Sequence, residues 1–215
     1  MSNSVRPDVD LPPFLEDTPP GNPLATLVLA HGAGAAMDSP FMNDMAERLS
    51  AKGIRVLRFE FPYMRTRRKT GQKKPPDRAP ILEATWAKVV AHVGTDAFIG
   101  GKSMGGRYAT LMADELGVRG VVALGYPFHP LGKPDKLRTD HLEDGNVPVV
   151  ICQGTRDTMG TQDEVEGYAL GAHVDVVFIE DGDHSLKPRK KSGRTLDDNL
   201  DDTADAVFAF VRKHA

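Results

Sequence analysis

Six short runs rich in Val, Ile, Leu and Phe, separated by longer amphipathic stretches, constrain this chain more than any other feature. They occupy residues 26–30, 54–61, 97–101, 120–125, 147–153 and 174–179. Each is short and shows little polar alternation, which suits a strand buried on both faces. The intervening stretches read as helices over residues 40–52, 81–93, 104–116, 163–170 and 197–214. Strands alternating with helices of this length specify an α/β protein, with a mostly parallel sheet of six to seven strands flanked by helices on both faces. The helix ends agree with this reading. Ser39 precedes Pro40 as an N-cap with proline in the first helical position, and Gly53 follows the helix. Asp197, Asp198, Asp201 and Asp202 open the last helix, where the helix dipole favours negative charge.

A length of 215 residues fits one domain with a real core, assigned here to residues 24–215. Residues 1–23 hold six prolines and read as an extended arm laid on the sheet edge. Residues 128–146, with two more prolines and several charges, predict a crossover that is irregular or only briefly helical. With 40% hydrophobic residues and a net charge of -3, the composition excludes the disordered class and a globally basic nucleic-acid binder. No apolar core of a signal peptide appears in residues 1–10, and the longest apolar run is too short to span a bilayer, so a cytoplasmic protein without membrane contact is expected. The single cysteine, Cys152, excludes an intrachain disulfide, agrees with a reducing compartment and reads as a small buried hydrophobe.

The chemistry is concentrated where the apolar runs end. Gly101-Lys102-Ser103-Met104-Gly105-Gly106 follows the third run directly, so the G-x-S-x-G pattern falls on a strand-to-helix turn. That turn presents Ser103 as a nucleophile. A serine that transfers acyl groups needs a base, an acid to orient the base and donors for the oxyanion. In a parallel sheet the C-terminal strand ends share one edge, so their loops converge although far apart in sequence. The fifth run leads into Gly154-Thr155-Arg156-Asp157 and the sixth into Gly182-Asp183-His184, which supplies a carboxylate and an imidazole at that edge. Ser103, Asp157 and His184 are therefore the candidate nucleophile, acid and base.

His92, His129, His141, His173 and His214 read instead as surface or helix-end histidines. Asp183 is adjacent to His184, which points the two side chains apart in an extended chain, so it reads as a turn residue. After the first run comes His31-Gly32-Ala33-Gly34, whose small residues leave the Ala33 N–H free to face an oxyanion, with the Met104 N–H as second donor. His31 is expected to hydrogen-bond within its own loop. Gly34, Lys102, Arg107, Arg156 and Lys187 flank these positions and are the candidates for substrate contact. There is no H-E-x-x-H or C-x-x-C, so neither a metal nor a cofactor is expected.

Taken together, His31-Gly32-Ala33-Gly34, Gly101 to Arg107, Gln153 to Asp157 and Gly182-Asp183-His184-Ser185, with the order Ser, acid, His, resemble the α/β-hydrolase superfamily. The resemblance spans residues 24–214 and is to small, cap-less bacterial hydrolases related in build to dienelactone hydrolases. It implies an α/β-hydrolase fold without a cap domain and a serine hydrolase triad, and a carboxylesterase-like activity is the expectation adopted for this chain. Dienelactone hydrolases typically use cysteine where this chain has Ser103, so their substrate does not transfer. About twenty residues separate the fourth and fifth runs, too few for a lid. A neutral imidazole is needed for the base, so activity is expected to rise toward neutral or mildly alkaline pH.

Two segments are strongly basic. Residues 63–80 carry Arg65, Arg67, Arg68, Lys69, Lys73, Lys74 and Arg78 against Asp77, and residues 185–195 carry Lys187, Arg189, Lys190, Lys191 and Arg194 without an acid. Both read as solvated loops bordering the site, and a basic rim there would attract an anionic acyl substrate. Nucleic acid is not expected as a partner, because Tyr63 is the only aromatic residue among these charges. The alternatives are a catalytically silent interaction module on the same scaffold and, among enzymes, a thioesterase or peptidase, since a fold does not choose its substrate.

Overall fold

The computed structural model describes residues 6–215, and in it all six apolar runs become strands: β2 (Ala25–Ala30), β3 (Ile54–Phe59), β4 (Phe98–Lys102), β5 (Gly120–Leu124), β6 (Val149–Gly154) and β7 (Val174–Ile179). These six are mutually parallel. Within the proline-rich segment, β1 (Phe14–Asp17) pairs antiparallel with β3, from Phe14 opposite Phe59 to Asp17 opposite Val56. The sheet therefore has seven strands in the order β1-β3-β2-β4-β5-β6-β7. An antiparallel edge strand is where prolines upstream and downstream are tolerated, since half of its N–H groups owe nothing to the ladder.

Alternate residues of each central strand feed two separate cores, as the two-residue period of a strand requires. Val28, Ala30, Ile99, Val121 and Ala123 pack on one side with Leu82, Trp86 and Met112 of helices α3 (Ala79–Val93) and α4 (Met104–Leu116). Leu27, Leu29, Phe98, Val122 and Leu124 pack on the other with Met42, Leu49, Leu200 and Val207 of α1 (Pro40–Ala51) and α7 (Leu196–His214). Along the chain α2 (Pro62–Thr70) lies between β3 and α3, and α5 (Asp140–Glu143) and α6 (Gln162–Val165) lie between α4 and α7. Because both faces are covered, the strand sequences carry no polar alternation. Thr195 caps α7 by accepting from the Asp198 N–H, while the Asp198 carboxylate accepts from the Thr195 N–H.

Two sequence expectations are corrected and one is met. Residues 63–80 are not one loop, because α2 (Pro62–Thr70) occupies the first half. Pro62 starts it, Gly71 ends it at φ 71°, and Arg67, Arg68 and Lys69 fall in its last turn, where cations are favoured. Tyr63 and Met64 bury its inner face. The helix expected over residues 163–170 is shortened to α6 (Gln162–Val165), which stops just before Gly167. The crossover between β5 and β6 holds only the four-residue α5 (Asp140–Glu143), in line with the brief helix expected there.

Candidate functional site

Strand β4 runs into Ser103, whose φ of 51° and ψ of -113° place a non-glycine residue in a strained conformation before α4 begins at Met104. Strain of this kind costs about 1–3 kcal/mol and needs a surrounding structure that enforces it. Gly101 and Gly105 provide that enclosure. A Cβ on Gly101 would lie 2.1 Å from the Ala30 carbonyl oxygen, and one on Gly105 would lie 2.4 Å from the same atom. Absence of side chains at both positions lets the turn pack against the end of β2. These neighbours, β2 and β4, lie where the winding of the sheet reverses, so the loops after them diverge and leave a crevice.

Ser103, Asp157 and His184 meet in that crevice. The Ser103 Oγ and His184 Nε2 are 2.8 Å apart, and His184 Nδ1 is 2.7 Å from Asp157 Oδ2. Asp157 is wholly buried, so its carboxylate needs donors from the protein. It has three: the imidazole, the Gln153 side-chain amide at 3.0 Å and the Met159 N–H at 2.9 Å. Gln153 is itself fixed, accepting from the Tyr126 N–H and donating to the Gly160 carbonyl. Its buried position inside β6 reads as core, which is why sequence alone assigns it no function. Asp183 accepts from the Ser185 and Lys187 N–H groups and so shapes the turn that carries His184. Lys102 donates to the His184 carbonyl. Burial pulls its ammonium down to about 8, against the opposing pull of Asp157 and Asp183.

The loop after β2 is held by its carbonyl groups. His31 Nδ1 lies 2.7 Å from the Gly32 oxygen, the Tyr63 hydroxyl donates to the Ala33 oxygen at 2.9 Å, and Arg67 donates to the Gly34 oxygen at 3.1 Å. His31 also accepts from the Phe61 N–H through Nε2, and burial lowers its pKa, so it stays neutral and structural. With three successive carbonyls occupied, the Ala33 and Met104 N–H groups have no acceptor among the described residues. Both residues line the same cleft as Ser103, so the two amides are available to an oxygen placed beside Oγ. The Tyr63 contact depends on α2, which the sequence reading missed.

That cleft has a volume of about 330 Å³, with Leu82, Tyr108 and Met159 among its apolar walls. Of the five candidates for substrate contact, Arg107 lines it. Lys102 is turned to the His184 carbonyl, Arg156 pairs with Asp181, Lys187 is exposed outside the cleft, and Gly34 lines a separate hollow beside Arg67 and Arg68. Arg138 lines the cleft although nothing in its sequence setting marks it. The basic rim is paired only in part. Arg68 pairs with Asp38 and Glu60, Arg189 with Asp181, and Arg194 with Asp202, while the other cations of the two segments have no carboxylate partner among the described residues and the cleft itself receives Asp77 from the first segment.

Two histidines expected on the surface are enclosed: His129 is buried, and His141 lies against Thr110 and Tyr126. The buried Cys152 thiol is pushed up to about 12, which makes it unreactive. A second hollow of about 280 Å³ lies at the other end of the strands, where Asp96 and Arg119 pair with each other. No group of three or more His, Cys, Asp or Glu side chains among the described residues is placed to hold a metal ion. None of the helices described is long and apolar enough to cross a membrane.

The seven-stranded, mostly parallel sheet with helices on both faces and no cap domain is the α/β-hydrolase fold. A model of the alpha/beta hydrolase domain family matches residues 23–212, and the chain belongs to that family. Similar solved structures include Est1E from Butyrivibrio proteoclasticus with ferulic acid bound, at 17% identity and a TM-score of 0.69, with 94% of each chain covered. A dienelactone hydrolase from Anabaena variabilis is 19% identical with a TM-score of 0.68, covering 94% of this chain and 91% of its own. An α/β serine hydrolase without lid from Xanthomonas campestris is 20% identical with a TM-score of 0.66, covering 92% of this chain and 88% of its own. At these identities the likeness is one of fold.

Proposed function

We propose that this hydrolase cleaves carboxylic esters through Ser103, His184 and Asp157, with an acyl-enzyme intermediate. The observation that carries the reading is the unbroken hydrogen-bonded chain from Ser103 Oγ through the imidazole to a buried carboxylate. His184 Nε2 takes the serine proton as Oγ attacks the acyl carbon, then returns it to the leaving alcohol. Water deacylates the enzyme by the same route. Asp157 holds the proton on Nδ1, which leaves Nε2 free as the base, and balances the imidazolium as it forms. The Ala33 and Met104 N–H groups donate to the oxyanion, which gains further from the positive end of α4. Solved relatives of the same fold described as an esterase and as a monoacylglycerol lipase support the ester as the bond attacked.

Ser103→Ala is expected to lower kcat on short 4-nitrophenyl esters by on the order of 10⁴-fold or more and to abolish labelling by a fluorophosphonate probe. Retained turnover with labelling at another residue would show that Ser103 is not the nucleophile. Tyr63→Phe leaves the three side chains in place but frees the Ala33 carbonyl. Removing an oxyanion donor outright costs on the order of 3 kcal/mol, so loosening one is expected to lower kcat by about tenfold with little change in KM. An unchanged kcat would separate Tyr63 from the oxyanion loop.

A further inference from the structure

The cleft beside Ser103 carries two charges that the hydrolytic mechanism leaves unused. Arg107 lies one turn into α4 and Arg138 just before α5, and both line the cleft. Among the described residues neither guanidinium has a carboxylate or carbonyl partner, and the Arg107 Nε is buried without a hydrogen bond. In contrast, Arg68, Arg156 and Arg189 each hold a carboxylate. Two unpaired like charges in a half-buried site repel each other and lose solvation, so an anion placed between them is favoured on both counts. Burial, and then the like charge of Arg107, hold the Arg138 guanidinium below the usual arginine range.

Among the described residues no anion bridges the two guanidinium groups. His141 is pulled down to about 4 by burial and by Arg107 and is neutral at pH 7, and burial pushes the Tyr126 phenol up to about 12. Among the described residues Asp77 is the one carboxylate that lines the cleft, and its Oδ2 accepts from the Tyr63 N–H at 2.8 Å.

We propose that Arg107 and Arg138 form a carboxylate-binding subsite, so that the preferred substrate is a short ester whose arm in this cleft ends in a carboxylate. The guanidinium fork matches a carboxylate in two-point geometry. With Asp77 as the third charge, a monoanion leaves the cleft near neutrality, whereas a phosphate dianion overshoots it. A volume of about 330 Å³ is at the small end for ligand pockets and suits an arm of a few carbons. This places a preference for acidic substrates inside the cleft, beside whatever field the basic segments at its border add. The rate measurements below rest on the hydrolytic role of Ser103, and the binding measurement does not.

The test compares 4-nitrophenyl hydrogen glutarate, carboxylated on the acyl side, and 4-acetoxybenzoate, carboxylated on the alcohol side, with 4-nitrophenyl valerate and phenyl acetate. At least one charged ester is expected to exceed its neutral counterpart in kcat/KM. Arg107→Met and Arg138→Met are each expected to lower the ratio of charged to neutral kcat/KM by about 10- to 100-fold, mainly through KM for the charged ester. Equal effects on charged and neutral esters, or none on either, would overturn the proposal. In parallel, monomethyl glutarate is titrated calorimetrically into Ser103→Ala and into Ser103→Ala with Arg138→Met. Binding that weakens at least about tenfold in the second supports the subsite even if no ester is hydrolysed by the native chain. Unchanged binding, or displacement by inorganic phosphate at equal concentration, would overturn the carboxylate assignment.

Discussion

Asp157→Asn is expected to lower kcat on a neutral ester by about 10⁴-fold near neutral pH, with the fold retained. The reason lies in donor and acceptor directions. Asp157 Oδ2 accepts from both His184 Nδ1 and Gln153, and Oδ1 accepts from the Met159 N–H. An asparagine has only one acceptor oxygen. If that oxygen faces Met159, its NH2 group meets the Gln153 amide and donates to Nδ1. The imidazole proton then moves to Nε2, which can no longer take the serine proton. If the oxygen faces His184, the NH2 group confronts the Met159 N–H. A buried donor left against another donor costs about 1–3 kcal/mol, so a lower Tm is expected with the rate loss. Kinetics across pH together with thermal unfolding would check both. A kcat within tenfold of the native value would remove Asp157 from the mechanism.

The second large effect is structural. Gly101→Ala and Gly105→Ala each place a methyl group 2.1 and 2.4 Å, respectively, from the Ala30 carbonyl oxygen, which is backbone and cannot swing aside. Gly101 also has a φ of 154°, which side chains rarely adopt. Either the elbow moves or β2 and β4 separate at their C-terminal ends. A loss of about 3 kcal/mol or more is expected for each, or roughly 6–12 °C in Tm for a domain of this size. Because Ala30 leads into the loop carrying Ala33, activity should fall further than the loss of folded protein explains. Urea melts read beside active-site titration separate the two effects. A Tm within about 2 °C of the native value would mean that the close approach at Ala30 is not needed.

The residues brought together in the crevice were legible in sequence because each ends a strand. A parallel sheet aligns its C-terminal edges, so the positions of Ser103, Asp157 and His184 follow once the strands are assigned. Gln153 was not legible, since a buried amide within an apolar run carries no period or spacing. Helix α2 was obscured by charge: Pro62 and Gly71 mark its ends, yet a run of arginines and lysines reads as a solvated loop. The two basic segments gave a charge total without its partners. Arg68 proved to be tied to Asp38 and Glu60, and Arg189 to Asp181, acids that lie outside both segments.

By itself, then, the sequence determined the strand–helix alternation, the parallel sheet and the edge at which the chemistry gathers, because those depend on local hydrophobic pattern and on where each run stops. Only the tertiary structure decided which charges remain unpaired. Arg107 looks no different in sequence from Arg156, but one lies in the cleft with Arg138 and the other beside Asp181. A guanidinium's role depends on the carboxylate within reach of it, and that distance is set by packing between segments far apart in the chain.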